Sequence, residues 1–257
     1  MRPAGSLQYD DGMDVDLLAF GPHPDDLEIG MGGALCRHAH LGARVGLCDL
    51  TRGEMGSNGT PEQRLAEAER ARKVLGARWR ENLALPDGGL TTGRDQVEPV
   101  VELIRRARPR VVAIPHGEDR HPDHMAAHEL LVRALFDAGL RRFTAAGEPW
   151  RPDLVCAYFI NDSAPPTFVV DVTDVYERKR EALACYETQF KPSGAGSVTT
   201  RLTSPRFVQL IESRDAQFGA QAGLTFAEGF IVRGPLRLPH LFAAAGLGLP
   251  APAESAS

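Results

Sequence analysis

Two short segments of the sequence concentrate residues that bind metal ions and move protons. The first is Gly21-Pro-His-Pro-Asp-Asp-Leu-Glu28, and the second is Asp119-Arg-His-Pro-Asp-His124, which comes shortly after His116. An imidazole and a carboxylate from the first and an imidazole from the second would form a His/Asp/His ligand set with an open position, typical of catalytic zinc sites. Asp25 and Asp26 are adjacent and point in different directions. One can therefore bind the metal while the other takes a proton from water, as a hydrolase requires.

The elements that precede these segments must hold them at one place. The apolar run Asp16 to Gly21 is typical of a buried strand and leads into the first segment, and Arg110 to Pro115 leads in the same way to the second. Strand-like and helical segments alternate along the chain, which indicates a mainly parallel sheet covered by helices on both faces. Ligands bind at the carboxyl edge of such a sheet. The sequence therefore predicts an α/β fold, a Rossmann-like three-layer sandwich, with both segments at one edge.

The remaining elements follow from periodicity, capping residues and loop composition. We predict strands at 16–21, 44–50, 79–85, 110–115, 154–160 and 167–170, and helices at 28–41, 61–75, 96–107, 123–138, 172–189 and 204–222. Polar, glycine-containing stretches at 52–60 and 191–204 are predicted loops, the first a wall or lid over a ligand. We expect one domain at 14–240 between a flexible leader, 1–13, and a flexible tail, 241–257.

Composition and charge exclude several classes of partner. The chain of 257 residues has a net charge of -5, and its Lys and Arg residues are spread out, so we expect no nucleic-acid partner. No stretch approaches the ~20 apolar residues of a membrane span, so we expect no membrane partner. An acidic pair, Asp10 and Asp11, stands where a signal peptide would be apolar, which predicts a cytoplasmic protein. The four cysteines form no CxxC pair and are expected to be small buried side chains rather than disulfides or metal ligands.

The two segments together resemble the signature motifs of the LmbE-like, or PIG-L, family of zinc-dependent N-deacetylases. The likeness rests on His23-Pro-Asp-Asp-Leu-Glu28 with His121-Pro-Asp-His124, and it extends over roughly Asp14 to Leu238. Further matching segments are Ile29-Gly-Met-Gly-Gly33, Cys48-Asp-Leu-Thr51, Ser57-Asn-Gly-Thr60, Leu85-Pro-Asp-Gly-Gly-Leu90, Tyr186-Glu-Thr-Gln-Phe190 and Ala227-Glu-Gly-Phe230. Either motif alone would be weak, because His and Asp are common in loops at sheet edges.

The resemblance implies roles for three positions of the first motif and for one of the second. His23, Asp26 and His124 would bind Zn²⁺, although such a ligand set also accepts Fe²⁺. Asp25 would be the general base that activates water and later returns the proton to the departing amine.

The resemblance also implies roles for four residues around that centre. His121 would stabilise the oxyanion of the tetrahedral intermediate, and Asp123 would orient its imidazole. Arg64 and Arg120 would face the substrate, where a guanidinium can bind a carboxylate through two hydrogen bonds. Simpler interpretations remain open for two of them, since Asp123 could cap a helix and Arg64 could pair with Glu67.

The nearest members by this resemblance deacetylate N-acetylglucosaminyl-malate in bacillithiol biosynthesis, and that small molecule is the expected substrate. Other N-acetylglucosamine conjugates, a chitin disaccharide or a thiol-conjugate amide are alternatives with the same chemistry. A protein that only binds sugar or metal is a more distant alternative, and Asp25 is the residue that such a binder would not need. The resemblance also implies a homo-oligomer, with a hexamer as one form.

Four other features are interpreted without a catalytic role or left open. His128 is four residues after His124 and is either a further metal contact or, as we expect, a helix residue satisfied by its neighbours. His116 ends a strand and is expected near the site, but is not assigned to it. Phe226 stands where relatives can carry Tyr, so a hydroxyl that could reach the substrate or the oxyanion is missing here. The glycines of Gly30-Met-Gly-Gly33 lack dinucleotide spacing and predict close packing of the first helix on the sheet.

Overall fold

The computed structural model describes residues 12–191, 196–238 and 240. The predicted tail and most of the predicted leader lie outside these residues. In the described part, the strands are β1 (Leu17–Gly21), β2 (Val45–Thr51), β3 (Trp79–Leu85), β4 (Val111–Pro115), β5 (Leu154–Tyr158), β6 (Phe168–Asp171) and β7 (Ala227–Ile231). The helices are α1 (Asp26–His40), α2 (Pro61–Leu75), α3 (Arg94–Ala107), α4 (Pro122–Ala138), α5 (Tyr176–Ala184), α6 (Glu187–Phe190) and α7 (Pro205–Gln221).

The strands form a single sheet in the order β3-β2-β1-β4-β5-β7-β6. The first five are parallel to one another, and β7 pairs antiparallel with both β5 and β6. This arrangement confirms the predicted α/β fold with a mainly parallel sheet. The chain order reverses between β1 and β4, so the loops after these two strands leave the sheet side by side and in opposite directions along it. Such a switch point opens the crevice in which α/β proteins bind ligands.

Each face of the sheet buries its own apolar cluster beneath a layer of helices. In β1, Leu17 and Ala19 point into the cluster covered by α1, α2, α5 and α7, whereas Leu18 and Phe20 point into the cluster covered by α3 and α4. The strand is buried at all five positions. A strand buried on both faces reads as a continuous apolar run, which explains why β1 could be predicted.

Helix α1 packs closely on the sheet through its glycines. A Cβ on Gly30 would lie 2.3 Å from the ring of Tyr158, and one on Gly33 would lie 2.8 Å from Val172. Both distances are shorter than any real contact, so only glycine allows this approach. The helix is also kinked at Met31, whose φ and ψ are -149° and 23°. These contacts confirm the predicted close packing of the first helix.

Two elements differ from the sequence prediction. The predicted helix 172–189 is wrong as one element, because a 3₁₀ turn precedes α5 and the chain leaves helical geometry at Tyr186 before α6. The break places the Tyr186 ring fully inside the core. Strand β7 was not predicted, because Glu228 and Gly229 are atypical of a strand interior. Glu228 is tolerated there because buried partners satisfy its carboxylate, as described below.

Two smaller expectations concern cysteines and membrane helices. Cys36, Cys48 and Cys156 are buried, Cys185 is partly exposed, and all four are free thiols, as predicted. Among the described residues, no helix has both the length and the apolar character needed to cross a membrane.

Candidate metal centre and active site

The two motif segments meet at the switch point of the sheet. The first segment joins β1 to α1, and the second joins β4 to α4. The backbone N–H and the hydroxyl of Thr51, at the end of β2, both donate to the Pro22 carbonyl and hold the first loop against the sheet. Asp26 is the first residue of α1, where the positive end of the helix dipole favours a carboxylate. The fold therefore brings together side chains that are about a hundred residues apart in the sequence.

The three predicted metal ligands lie close enough to share one ion. One ligand atom from each of His23, Asp26 and His124 falls within a 4.8 Å group. Nδ1 of His23 is 3.0 Å from Oδ2 of Asp26, and Nε2 of His124 is 3.3 Å from the same oxygen. All three residues are buried. Two imidazole nitrogens and a carboxylate oxygen converging from three directions fit the ligand set of a divalent ion such as zinc.

The outer nitrogen of His124 faces a carboxylate that the sequence analysis did not assign. Nδ1 of His124 lies 3.0 Å from Oδ1 of Asp119, and Asp119 also accepts the backbone N–H groups of His121 and Asn161 at 2.8 and 2.9 Å. A carboxylate on the outer nitrogen is the usual way in which proteins fix the tautomer of a ligand histidine. Asp119 could have been noticed because it is the first residue of the second segment.

The outer nitrogen of His23 faces two carboxylates. Nε2 of His23 lies 3.1 Å from Oδ1 of Asp87 and 3.3 Å from Oδ2 of Asp123. Gly88 donates its backbone N–H to the same oxygen of Asp123 at 2.7 Å. Asp87 was not predicted as a site residue, although it belongs to the Leu-Pro-Asp-Gly segment that carries part of the family resemblance. Both ligand histidines thus have their outer nitrogens on carboxylates.

These contacts shift the pKa values of the residues involved. Burial lowers the pKa of His124, but the charge of Asp26 and the hydrogen bond to Asp119 outweigh it and raise that pKa to about 9. Burial raises the pKa of Asp119, but the hydrogen bond to His124 outweighs it and lowers that pKa to about 2. The raised pKa of His124 means that a metal ion that binds this imidazole must displace a proton.

Asp25 lies beside the ligands in a strained backbone conformation. Its φ is 111°, in a region that non-glycine residues rarely occupy, and such strain is characteristic of functional sites. Burial raises the pKa of its carboxyl to about 7, against the lowering effect of the Arg64 guanidinium. A carboxyl with a pKa near neutrality can both accept and return a proton.

Arg64 reaches the site from α2 and is directed at Asp25. Its guanidinium lies 3.2 Å from Oδ2 of Asp25 and also donates to the carbonyls of Pro24 and Gly53. Gly53 must be glycine here, because a Cβ would lie 1.9 Å from the guanidinium. The alternative pairing of Arg64 with Glu67 is wrong, since Glu67 accepts hydrogen bonds from Thr188 instead. The contacts of Arg64 are therefore with the candidate base, and its role toward a substrate stays a prediction.

His121 is the N-cap residue of α4, so the alternative that Asp123 caps this helix is wrong. Nδ1 of His121 accepts the backbone N–H of Asp123 at 3.2 Å, which leaves the proton of the neutral ring on Nε2. Burial and the neighbouring His124 and His23 lower the pKa of His121, which favours the neutral ring. Asp123 contacts His121 through its backbone N–H, whereas its carboxylate contacts Nε2 of His23. An orienting role of Asp123 toward His121 stays a prediction, and it would act through the backbone rather than through the carboxylate.

One pocket of about 310 Å³ contains most of the predicted site. Its lining includes seven of the eight residues singled out in the sequence, namely His23, Asp25, Asp26, Arg64, Arg120, His121 and His124. The eighth, Asp123, contacts the site through His23. Arg120 and His121 are exposed, whereas the other five are buried. The pocket is therefore polar and deep at the ligand end and open toward Arg120.

Three residues discussed in the sequence analysis lie elsewhere. Nδ1 of His128 contacts the Pro115 carbonyl at 2.8 Å, which confirms the expectation that neighbours satisfy it. His116, expected near the site, lines a different cavity together with His128. The ring of Phe226 stacks on Tyr176 with centroids 3.8 Å apart. Phe226 is not among the residues that line the pocket of the candidate ligands, and whether a hydroxyl at this position would reach the substrate stays a prediction.

Similarity to known proteins agrees with the motifs. The PIG-L family, described as GlcNAc-PI de-N-acetylase, matches residues 18–135. Diacetylchitobiose deacetylase of Thermococcus kodakarensis is 32% identical over 189 residues, which are 68% of this chain and 70% of that protein. The 1D-myo-inositol 2-acetamido-2-deoxy-alpha-D-glucopyranoside deacetylase of Rhodococcus opacus is 30% identical over 246 residues, which cover 70% of this chain and 84% of that protein.

Solved structures share the same fold. The conserved protein TT1542 of Thermus thermophilus is 39% identical, covers 88% of this chain and 98% of its own, and superposes with a TM-score of 0.80. More distant structures show only the fold, and they include GalB of Pseudomonas putida, a 4-carboxy-2-hydroxymuconate hydratase with 21% identity. The specific family assignment therefore rests on the two motifs and the closer relatives. On these grounds the chain belongs to the PIG-L, or LmbE-like, family of metal-dependent N-deacetylases.

Proposed function

We propose that this protein removes the acetyl group from an N-acetylglucosamine conjugate, using a divalent ion held by His23, Asp26 and His124. The observation that carries the proposal is the convergence of these three donors within 4.8 Å, in a pocket that also holds Asp25 and His121. The named deacetylases among the relatives act on diacetylchitobiose and on an inositol conjugate of the same acetamido sugar. A pocket of about 310 Å³ is of the size that accepts a sugar ring.

A second group of donors, His23, Asp87 and Asp123, is equally compact. We favour the first group as the site of the catalytic ion because it offers two imidazoles and lies against Asp25. In this interpretation, His23 binds the ion through Nδ1, and its Nε2–H donates to the two carboxylates.

A divalent ion at these ligands supplies a Lewis acid that polarises the amide carbonyl and lowers the pKa of a water molecule. Asp25 accepts a proton from the attacking water and returns it to the departing amine. The Arg64 guanidinium holds the Asp25 carboxylate in place. Neutral His121 donates its Nε2–H to the oxyanion that forms on the carbonyl oxygen.

For the substrate we propose N-acetylglucosaminyl-malate, the bacillithiol precursor. The support is the exposed guanidinium of Arg120 at the open end of the pocket, which suits the carboxylates of malate. The relatives with named activities favour a second candidate, a conjugate with an uncharged partner such as inositol or a second sugar. Zinc as the native metal and a homo-oligomeric state remain proposals drawn from the resemblance, and a cytoplasmic location remains a proposal drawn from the sequence.

Acetate release from a panel of substrates tests the proposal. The panel is the malate conjugate, the inositol conjugate and diacetylchitobiose, each incubated with zinc-loaded wild type and with Asp25→Asn. We expect wild type to release acetate from the malate conjugate with a kcat/KM at least about tenfold above the others, a preference that Arg120→Ala reduces. Better turnover of an uncharged conjugate would refute the malate assignment alone. No acetate from any of the three would refute the deacetylase proposal.

A further inference from the structure

Asp87 contacts both a candidate metal ligand and the loop after β2. One carboxylate oxygen, Oδ1, lies 3.1 Å from Nε2 of His23. The other, Oδ2, accepts the backbone N–H of Met55 at 2.8 Å. The backbone N–H of Asp87 in turn donates to the Glu54 carboxylate at 3.1 Å. We call residues 53–57 the Met55 loop. The Asp87 side chain links this loop to His23.

The Met55 loop forms part of the pocket. Met55, Gly56 and Ser57 line it. Met55 is 75% exposed, so hydrogen bonds of the backbone, rather than burial of this side chain, hold the loop in place. The Asp87 side chain is only 7% exposed. Both of its carboxylate oxygens are in use, one on His23 and the other on the Met55 N–H.

The two contacts of this carboxylate depend on each other. If a metal ion binds Nδ1 of His23, the ring proton stays on Nε2 and points at Asp87 and Asp123. That hydrogen bond holds the Asp87 carboxylate in the orientation in which its other oxygen meets the Met55 N–H. A fixed Met55 loop likewise holds the carboxylate ready for His23. Two events that each favour one orientation of a shared group stabilise one another equally.

We propose that Asp87 is a positioning residue that couples metal binding at His23 to the position in which the Met55 loop lines the pocket. The proposal rests on the metal site proposed above. It means that an ion bound at His23 stabilises the contact that Asp87 makes with the Met55 loop, so that this wall of the pocket is held more firmly when the ion is present.

The test uses Asp87→Asn with Asp119→Asn as a matched control. Asn has a single amide oxygen, so it can satisfy His23 or the Met55 N–H but not both. Asp119 supports the other ligand histidine, His124, and its remaining hydrogen bonds go to His121 and Asn161 rather than to the Met55 loop. Both substitutions should weaken zinc binding by about 10–100-fold, measured by competition with a chromophoric chelator. Circular dichroism of the metal-free proteins checks that both variants fold.

Hydrogen exchange of the Met55 loop then separates the two variants. In wild type, saturating zinc should slow exchange of this peptide by about tenfold, within the usual range of coupling between sites. In Asp119→Asn the same slowing should appear at saturating zinc, whereas in Asp87→Asn it should be lost. If bound zinc leaves the hydrogen exchange of this loop unchanged in wild type, that result by itself overturns the proposal.

Other outcomes also decide the matter. Unchanged zinc affinity in Asp87→Asn, or a loop that zinc protects as well as in wild type, would overturn the coupling while leaving the proposed function intact. Two zinc ions in wild type and one in Asp87→Asn would make Asp87 a ligand of a second ion and also overturn it. A wild-type protein that binds no ion would instead refute the proposed function from which the coupling starts.

Discussion

Among the clusters of buried charge in the described part of the chain, two are built on opposite principles. The first, which we call the core ion cluster, consists of Lys179, Arg214, Asp215 and Glu228. The second, the edge cluster at the switch point of the sheet, consists of Asp25, Asp26, Asp87, Asp119, Asp123 and Arg64 with His23, His121 and His124. All four residues of the core ion cluster are buried, and the edge cluster is buried apart from the partly exposed Asp87 and the exposed His121. Only the core ion cluster is balanced.

In the core ion cluster each charge has a partner of opposite sign. Nζ of Lys179 lies 2.6 Å from carboxylate oxygens of both Asp215 and Glu228, and Arg214 contacts Asp215 at 3.1 Å. The backbone N–H groups of Gly33 and Ala34 in α1 donate hydrogen bonds to the two carboxylate oxygens of Glu228. A network of two cations and two anions needs nothing from outside the chain, so its role is to hold α1, α5, α7 and β7 together.

As defined, the edge cluster holds five carboxylates, one guanidinium, which contacts Asp25, and three imidazoles. Buried carboxylates in such excess are costly unless protons or a cation neutralise them. The contrast teaches that a balanced buried network stabilises the fold, whereas an acidic network with convergent imidazoles is prepared for a cation. Substitutions in the two clusters should therefore have different effects.

The largest effect is expected at the edge cluster, in Asp25→Asn. Loss of the general base should lower kcat by about 10²–10⁴-fold, because a positioned proton acceptor contributes rate enhancement of that size. Zinc content should stay near that of wild type, since Asp25 is not in the ligand group. Acetate-release kinetics with metal analysis of the same sample measures both. Wild-type turnover would contradict the assigned role.

In the core ion cluster, Lys179→Met should instead destabilise the fold. It leaves Asp215 and Glu228 without their shared cation in a site where all three side chains are fully buried. Breaking a buried pair in this way costs about 3–5 kcal/mol of unfolding free energy. Urea denaturation measures the loss, and zinc affinity serves as the control that should stay near wild type. A loss below about 1 kcal/mol would mean that this cluster is not what holds these elements together.

The pH dependence of zinc affinity should distinguish the edge cluster from an ordinary surface site. The pKa of His124 is about 9 in the metal-free protein, so below that pH a proton must leave before zinc binds. Affinity should therefore rise with pH by about tenfold per unit for each displaced proton, and level off near pH 9. Asp119→Asn removes a contact that raises this pKa, so its curve should level off at a lower pH. Titration with a chelator between about pH 6 and 9 measures the curve, and a flat profile would contradict the account.

The smallest effect is expected for Phe226→Tyr. The ring stacks on Tyr176 away from the pocket, so an added hydroxyl should not reach the substrate. We expect kcat/KM to change by less than about twofold, the range of substitutions that touch no special feature. A larger gain in acetate release would mean that this position reaches the substrate after all.

The sequence predicted most of the fold because its strongest patterns are local. Apolar runs buried on both faces identified β1 and β4, and the capping box of Thr60 with Gln63 marks the predicted start of α2. Strand β7 escaped prediction because its buried Glu228 is explained only by partners from distant elements. Local patterns cannot show such long-range compensation.

The candidate site divides in the same way. The ligand set could be predicted because each motif follows a strand and adjacent parallel strands end at one edge. The supporting contacts could not, since Asp87, Asp119 and Arg64 meet their partners through side-chain directions that depend on three different loops. Sequence spacing identifies groups capable of chemistry, and only the folded chain shows which groups orient them.

The most direct test of the account is the zinc content of wild type, His124→Ala and Lys179→Met after dialysis against a weak chelator. The edge cluster should bind one ion per chain in wild type and in Lys179→Met, and His124→Ala should lose most of it. Full zinc occupancy in His124→Ala would contradict the claim that the two motif loops share one metal ion.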